Sequence, residues 1–484
     1  MPKGITIVGL GPGSPDLMTV EAVRVLNSAS QVYVRTLRHP TLVALPSAAA
    51  VHSFDDVYEH AASFDAVYAE IAARIVELGS REEGVVYAVP GNPHVGEASV
   101  WRILDLAREQ GLSVRIVEGL SFVEPVCAQL GIDPLNGLQI ADATALAVRH
   151  YSEFNPDLPL LLGQLYSRDV AADVKWVLMT VYPDEHRVAL VRAAGTPQAE
   201  VRDVPLYELD RCTDIDHLTA LYVPPLPQPG SLAAFQEVVA RLRAPDGCPW
   251  DREQTHSSLR PYLLEETYEV LQALDHEDLP ALTEELGDLL LQVLLHTQIA
   301  IEDAEFRMAD VVAHIVAKLK HRHPHVFGDT QVANSQEVLV NWERLKSEEK
   351  NHEPTREGVF SRIPQQLPAL TRARSLQDRA ARLGFEWPDM GAAWGKFEEE
   401  SRELRQAEGA EARAAELGDV LFALVSLARW MGMDAECVLR GATDRFAQRF
   451  DHIVRDCAAR GQALDTLSPS EWIASWERSK MASG

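Results

Sequence analysis

Cysteine is scarce in this chain, with five among 484 residues, at 127, 212, 248, 437 and 457. Their odd number, wide scatter and lack of any CxxC pair exclude a disulfide framework and a cysteine-based zinc site; buried thiols are expected instead. Long apolar runs are missing too. The longest, Leu289 to Ile301, is broken by Gln292 and His296 and falls short of the ~18–20 residues that span a bilayer, so no membrane anchor is expected. Basic residues are in deficit. Forty-five Lys and Arg against 72 Asp and Glu give a formal charge of −27, which repels polyanions and disfavours nucleic-acid binding, while ligands reached through cations stay open. Met-Pro-Lys-Gly runs straight into the strand-like Ile5–Val8 and leaves no room for a signal peptide, so a cytoplasmic protein is expected.

What is present is the composition of a folded protein, 46% hydrophobic and 24% charged. The length exceeds the ~250–300 residues at which single cores stop growing, so two or three domains are expected. Over residues 1–222 short apolar runs alternate with helical stretches, the pattern of an α/β domain with a largely parallel sheet. Strands are predicted at Ile5–Val8, Val32–Arg35, Val85–Val89, Val114–Val117, Leu158–Leu162, Trp176–Val181 and Val188–Arg192, with helices at Pro15–Ala29 and Glu97–Gln110. The later strands follow one another closely, which predicts more antiparallel pairing. Residues 223–230, rich in proline, read as a linker.

Beyond Ser231 long amphipathic periodicities take over. Helices are predicted over Ser231–Arg243, Ser257–Leu274, Pro280–Ala300, Met308–His321, Glu337–Lys350, Leu370–Leu383, Trp394–Glu408, Ala412–Met431 and Ala435–Ala459. This half repeats itself: Glu265-Glu266-Thr-Tyr-Glu269 with Glu285-Leu-Gly-Asp288 returns, 131 to 134 residues on, as Glu399-Glu400-Ser-Arg-Glu403 with Glu416-Leu-Gly-Asp419. Two tandem all-α modules, 231–350 and 369–484, are therefore expected around a second linker at 351–368.

On a helix, residues i and i+3 share a face, so each ExxE and each ExxD projects a pair of carboxylates, and two such helices packed antiparallel gather four. Such a cluster repels itself unless a cation compensates it. Oxygen ligands in this number suit Mg²⁺ or Mn²⁺, which can bridge phosphate oxygens and activate water. Lys396, one turn before the second EExxE, and Arg445 and Arg449 are candidates for phosphate contacts. Trp250 and Trp387 are candidates for stacking on a base. The His321, His323 and His325 run reads as a helix end, because Pro324 breaks any regular comb of ligands.

Gly247-Cys-Pro-Trp-Asp-Arg-Glu-Gln-Thr-His256, Leu263-Leu-Glu-Glu-Thr-Tyr-Glu269, Glu284-Glu-Leu-Gly-Asp288, Arg322-His-Pro-His-Val-Phe327 and Gly384-Phe-Glu-Trp387 resemble, in order, the signature stretches of MazG nucleotide pyrophosphohydrolases. The resemblance implies an all-α helical-bundle fold, a homodimer through the helical half, Mg²⁺ held by the EExxE and ExxD carboxylates, and hydrolysis of nucleoside triphosphates to monophosphate and pyrophosphate. It implies a catalytic second module, with Glu399, Glu400, Glu403, Glu416 and Asp419 ahead of Glu265, Glu266, Glu269, Glu285 and Asp288. Thr443-Asp-Arg-Phe446 stands where the family often shows Asn-x-Lys-Phe, and Ser375 where a lysine is common.

At the front, Gly9-Leu-Gly-Pro-Gly13 follows a predicted strand and opens a helix, letting backbone approach a ligand closely. Gly9-Leu-Gly-Pro-Gly-Ser-Pro-Asp16, Tyr87-Ala-Val-Pro-Gly-Asn-Pro93 and Gly119-Leu-Ser-Phe122 together resemble the S-adenosylmethionine-dependent tetrapyrrole (corrin/porphyrin) methylases. The resemblance implies two α/β subdomains and a cofactor cleft near Gly9, Gly11, Pro12, Gly13, Gly91, Asn92, Pro93 and Ser121. Many members read Gly-Asp-Pro where this chain has Gly91-Asn92-Pro93. The domain order fits YabN-type fusions of the two families. Pyrophosphohydrolysis is the leading reading; tetrapyrrole methylation as the main activity, and a non-catalytic ligand sensor in front, are the alternatives.

Overall fold

Strands β1 (Ile5–Gly9), β2 (Gln31–Val34), β3 (Ala50–Ser53), β4 (Val85–Val89) and β5 (Val114–Val117) pair in parallel in the order β3-β2-β4-β1-β5. A sheet covered on both faces needs apolar residues at every position, and β4 is buried along its whole length. The two-residue period sorts its side chains: Ile5, Ile7, Val85, Tyr87 and Val89 pack under the helices Phe64–Gly79 and Ala98–Glu109. Val8, Val86 and Ala88 face the helix Val20–Ser28. In this computed structural model the described residues are 3–338 except 46, 48 and 62, then 341–342, 344–345, 358–361 and 363–482.

A second sheet follows, built from β6 (Gln139–Asp142), β7 (Leu160–Gly163), β8 (Arg187–Arg192), β9 (Glu200–Pro205) and β10 (Thr219–Val223) in the order β6-β7-β10-β8-β9. Only β6 and β7 run parallel; the other pairs are antiparallel, as their close spacing predicted. The strand expected at Trp176–Val181 is instead the end of the helix Arg168–Leu178 and the turn after it. Ser167 caps that helix by accepting the Val170 amide, and Ala171, Val174, Lys175 and Leu178 are buried at helical spacing. An apolar run read without its upstream partners mimics a strand. The stretch expected as one helix over Pro15–Ala29 is a 3-10 turn, Pro15–Leu17, then a helix starting at Val20 behind the Thr19 cap.

Beyond β10, residues 224–231 carry no strand or helix, and Ser231 caps the helix Leu232–Arg243. The described helices that follow are Pro249–Glu253, Arg260–Asp275, Leu279–Glu302, Met308–Arg322, Pro324–Phe327, Ala369–Arg382, Met390–Gln406, Ala410–Trp430, Ala435–Ala459 and Pro469–Ala482. Of the helix expected at Glu337–Lys350, residues 339–340, 343 and 346–350 lie outside the described ones. Two compact units result, residues 1–315 and 316–484. Among the described residues no helix is long and apolar enough to cross a membrane. Cys127, Cys212 and Cys457 are buried, whereas Cys437 is exposed, against the expectation of buried thiols.

Candidate functional site

In the first unit, helices Arg260–Asp275 and Leu279–Glu302 form a hairpin over three connecting residues. Asp278 caps the second helix, its carboxylate accepting the Ala281 amide at 3.1 Å, and Pro280 fills the first turn where no backbone donor is needed. This entry angle turns the ExxD face toward the ExxE face. Glu266, Glu285 and Asp288, all half-buried, then offer carboxylate oxygens within 4.8 Å of one another. The crowding shows in their acidity. Desolvation first, then Asp288 and Glu269, pushes the Glu266 carboxyl above its ordinary range; desolvation, Glu269 and Asp288 do the same to Glu285. Glu265 and Glu269 are exposed and stand outside the triplet.

The second unit repeats the construction. Asp389 caps Met390–Gln406 through the Ala392 amide at 2.8 Å, and Gly409, at φ 91, turns the chain into Ala410–Trp430. Glu400, Glu416 and Asp419 come together, again within 4.8 Å, with Glu400 buried to 7% exposure. Desolvation, then Glu403 and Glu400, raises Glu416. Here a cation is built in: Lys396 Nζ lies 2.7 Å from Glu400 and 2.9 Å from Glu399, and the two carboxylates hold its ammonium well above the usual lysine range. Lys396, a candidate for phosphate contacts, pairs in this ligand-free state with Glu399 and, within the triplet, with Glu400. One turn before Glu266 the first hairpin has Tyr262, which packs edge-on against Trp250 at 5.7 Å.

An all-oxygen triplet of this size fits a hard divalent cation. Other candidate residues are less gathered. Trp250 and Trp387 are half-exposed at 49% and 38%, and Glu386 beside Trp387 accepts from Arg429 at 2.6 Å. Arg445 and Arg449 lie one turn apart on Ala435–Ala459, with the Arg449 guanidinium 6.0 Å over the Trp476 ring. His323 Nδ1 meets the Leu319 carbonyl at 2.7 Å, closing the end of the helix as expected of that run.

Spacing alone missed three groupings. Phe446, Phe450, Trp472 and Trp476 stack in one ladder between the last two long helices; the aromatic i, i+4 pairs were its signal. His256 and His296 share a hydrogen bond, Nδ1 to Nδ1, at 2.7 Å with parallel rings. Arg35 and Glu97 form a deeply placed ion pair at 2.7 Å. The last two join residues far apart in sequence, and no local pattern marks them.

In the front domain the loops after β1, β4 and β5 meet backbone to backbone. Gly11 and Gly91 exchange amide hydrogen bonds at 3.2 and 2.8 Å, and a Cβ on Gly9 would stand 2.7 Å from the Gly91 carbonyl oxygen and 2.8 Å from Pro93. Gly91, at φ +65, has open space beside it, and Pro12 and Gly13 border Gly195 and Pro40. The side chains of Asn92 and Ser121 are engaged in holding the loops: Asn92 donates to Glu118 and Gly119, and Ser121 donates to Glu124 at 2.6 Å. Backbone, more than these side chains, faces any ligand here. The crevice lies at the carboxyl ends of the parallel strands, where doubly wound sheets bind ligands.

The family model for the MazG nucleotide pyrophosphohydrolase domain matches residues 254–327, and that for tetrapyrrole (corrin/porphyrin) methylases matches residues 4–210. The uncharacterized protein YabN of Bacillus subtilis is 39% identical over 98% of this chain and 98% of its own length. The nucleoside triphosphate pyrophosphohydrolase of Escherichia coli K12 is 43% identical over 50% of this chain and 94% of its own. A solved uroporphyrin-III-C-methyltransferase from Thermus thermophilus covers 46% of this chain and 92% of its own, at 23% identity and a TM-score of 0.36. With both domains matched and relatives aligned over almost their whole length, the chain belongs to the MazG nucleotide pyrophosphohydrolases, in the form that carries a tetrapyrrole methylase domain in front.

Proposed function

We propose that the helical half hydrolyses nucleoside triphosphates, ribo or deoxy, to monophosphate and pyrophosphate as a housekeeping enzyme of the cytoplasmic nucleotide pool, working with Mg²⁺ or Mn²⁺. The observation that carries this reading is the convergence of Glu400, Glu416 and Asp419, beside Lys396, between the two helices of a hairpin. When bound, the cation supplies charge neutralisation and a water of lowered pKa. Glu400, Glu416 and Asp419 would hold it, and Glu403 would orient or deprotonate the attacking water. That water's oxygen joins the α phosphorus as the α–β anhydride bond breaks and pyrophosphate leaves. Lys396, now bonded to Glu399 and Glu400, would donate to phosphate oxygens of the bound nucleotide, and Arg445 and Arg449 would add further donors. The Glu266, Glu285 and Asp288 triplet has no lysine one turn before it, which supports the second hairpin as the engine.

The partner proposed for the helical half is a second copy, and light scattering on the intact protein tests it. S-adenosylmethionine is proposed to lie on the backbone around Gly11 and Gly91, and calorimetric titration tests that. The test of the central claim is pyrophosphate release from NTPs and dNTPs with Mg²⁺. Release is expected from the intact protein and from Glu266→Gln, and is expected to collapse in Glu400→Gln. No cleavage of any nucleotide by intact protein sinks the claim, and moves methylation by the front domain to the fore.

A further inference from the structure

The proline-rich stretch 223–230 reads as a free linker, yet the chain there is seated on the second sheet. Leu226 packs against that sheet's core and its amide donates to the Pro156 carbonyl at 2.8 Å, while His186 Nε2 meets the Pro224 carbonyl at 2.9 Å. Asp157, in the loop before β7, closes a clasp. Its carboxylate accepts the Gly230 amide at 2.7 Å, the Ser231 amide at 3.2 Å and the Ser231 hydroxyl. Ser231 first, then the Gly230 amide, hold that carboxyl below the ordinary carboxylate range. The loop is itself fixed: Asn155 Oδ1 accepts the Asp157 amide at 2.9 Å, and Gln139 on β6 exchanges hydrogen bonds with the Asn155 backbone at 2.8 and 2.9 Å. The same Ser231 hydroxyl caps the helix Leu232–Arg243 by accepting the Ala234 amide at 3.0 Å, so one oxygen ties the front domain to the first turn of the helical half.

The far end of that helix is fixed as firmly. Arg243, its side chain 6% exposed, forks onto Glu302 with Nε at 3.0 Å and Nη2 at 2.8 Å, and its Nη1 donates to the Asp251 and Gln254 carbonyls. Glu302 ends the helix Leu279–Glu302, which carries Glu285 and Asp288. Phe235 and Val239 join Leu291, Leu294 and Leu295 in one apolar cluster, and beside it runs a groove of about 310 Å³ lined by Ala233, Gln236, Ala240, Leu294, Thr297 and Ile301. Contact along the helix is incomplete, so its two ends decide where it sits. We propose that Leu232–Arg243 is a strut between the front domain and the first hairpin, anchored by the Asp157 clasp, through which the second sheet positions the helix bearing Glu285 and Asp288. Front domain and strut fall in one compact unit, residues 1–315. Asp157 is a positioning residue, acting on the first acidic triplet through Ser231 and two helices. Opening the clasp loosens the second helix of that hairpin, and movement of the Asn155–Asp157 loop reaches it by the same route.

Hydrogen–deuterium exchange on the full chain is the test. In wild type the Leu226, Gly230 and Ser231 amides are expected to exchange slowly. In Asp157→Ala, exchange at Gly230 and Ser231 is expected to rise at least about tenfold, and to rise also in Leu232–Arg243 and Leu279–Glu302, with strands β6 to β10 unchanged. Ser231→Asp keeps a capping side chain on the helix but sets a second carboxylate against Asp157, and is expected to speed exchange in Leu279–Glu302 as well, which separates the clasp from the cap. Fast exchange at Gly230 in wild type would overturn the proposal. So would a rise in the variants that stops at Ser231 and leaves both helices at wild-type rates. Should Asp157→Ala not fold, Ser231→Asp decides. Pyrophosphate release, assigned to the hairpin of Glu400, Glu416 and Asp419 in the other unit, is expected to be unchanged in both variants, so failure of the hydrolase reading shows separately.

Discussion

Each acidic triplet lies inside one compact unit, so adding a divalent cation to metal-free protein should stabilise the two units separately. A ligand that binds only the folded state at 100 times its Kd adds about 2.7 kcal/mol. For a unit the size of residues 316–484, where 1 kcal/mol moves Tm by roughly 2–4 °C, that amounts to about 5–11 °C. The two responses should differ. In the second triplet the incoming cation competes with the Lys396 ammonium, already held at 2.7 Å by Glu400, whereas the first has no such occupant. At equal Mg²⁺ the second unit should therefore shift less, and nucleotide, by drawing Lys396 away, should remove that difference. Scanning calorimetry with and without Mg²⁺, at ionic strength matched with KCl, reads both transitions. Glu400→Gln should abolish the shift of the second unit alone, and Glu266→Gln that of the first alone. A shift reproduced by KCl, or one that survives in its own glutamine variant, would refute the assignment of these carboxylates as cation ligands.

Lys396→Met should lower turnover roughly a hundredfold, as loss of one donor to a developing charge does, and steady-state kinetics checks it. The His39 imidazole, held down to about 4 by burial and Arg35, stays neutral when folded but takes a proton near 6.5 when unfolded. Stability of the first unit should then be intact above pH 6.5 and fall by up to about 3 kcal/mol toward pH 4, and His39→Gln should flatten that slope in urea titrations at several pH values. The His256–His296 hydrogen bond needs one bare nitrogen, and His296 is held below its usual range by burial and by His256. The first hairpin should loosen as pH drops below that range, and hydrogen exchange in Leu279–Glu302 should show less of this in His256→Phe with His296→Phe. Gly9→Ala places a Cβ 2.7 Å from the Gly91 carbonyl and the Gly119 amide, all of them backbone, and should cost about 1–3 kcal/mol in chemical denaturation.

The helical half was open to reading because its signals are local. A helix writes its buried face every three or four residues, and a repeat that returns 131 to 134 residues later removes the ambiguity of any single acidic face. The boundaries Met308–Arg322 and Ala435–Ala459 fell within a residue of expectation for that reason. The front sheets were harder. Ala50–Ser53 and Gln139–Asp142 are short edge strands whose residues are mostly exposed or half-buried, so their pattern carries little hydrophobic contrast. Trp176–Val181 fails in the opposite way, with strand-like composition over the last turn of a helix that begins behind the Ser167 cap, well upstream of this apolar run.

The site divides along the same line. Glu266 with Glu269, or Glu416 with Asp419, stand three residues apart on one helix, and sequence spacing fixes that they share a face. What spacing does not contain is which neighbouring charge answers them. Lys396 reads as a phosphate ligand in a list of residues and as the counter-ion of Glu400 in three dimensions, because the i, i+4 geometry that points it at substrate points it equally at the carboxylate one turn on. Arg35 and Glu97 are separated by 62 residues, two strands and two helices; their meeting depends on β2 and β4 being neighbours in the sheet, a fact of strand order. Residues that carry chemistry through a shared helix are therefore legible before the fold is known, and residues that carry it through strand order become legible only after.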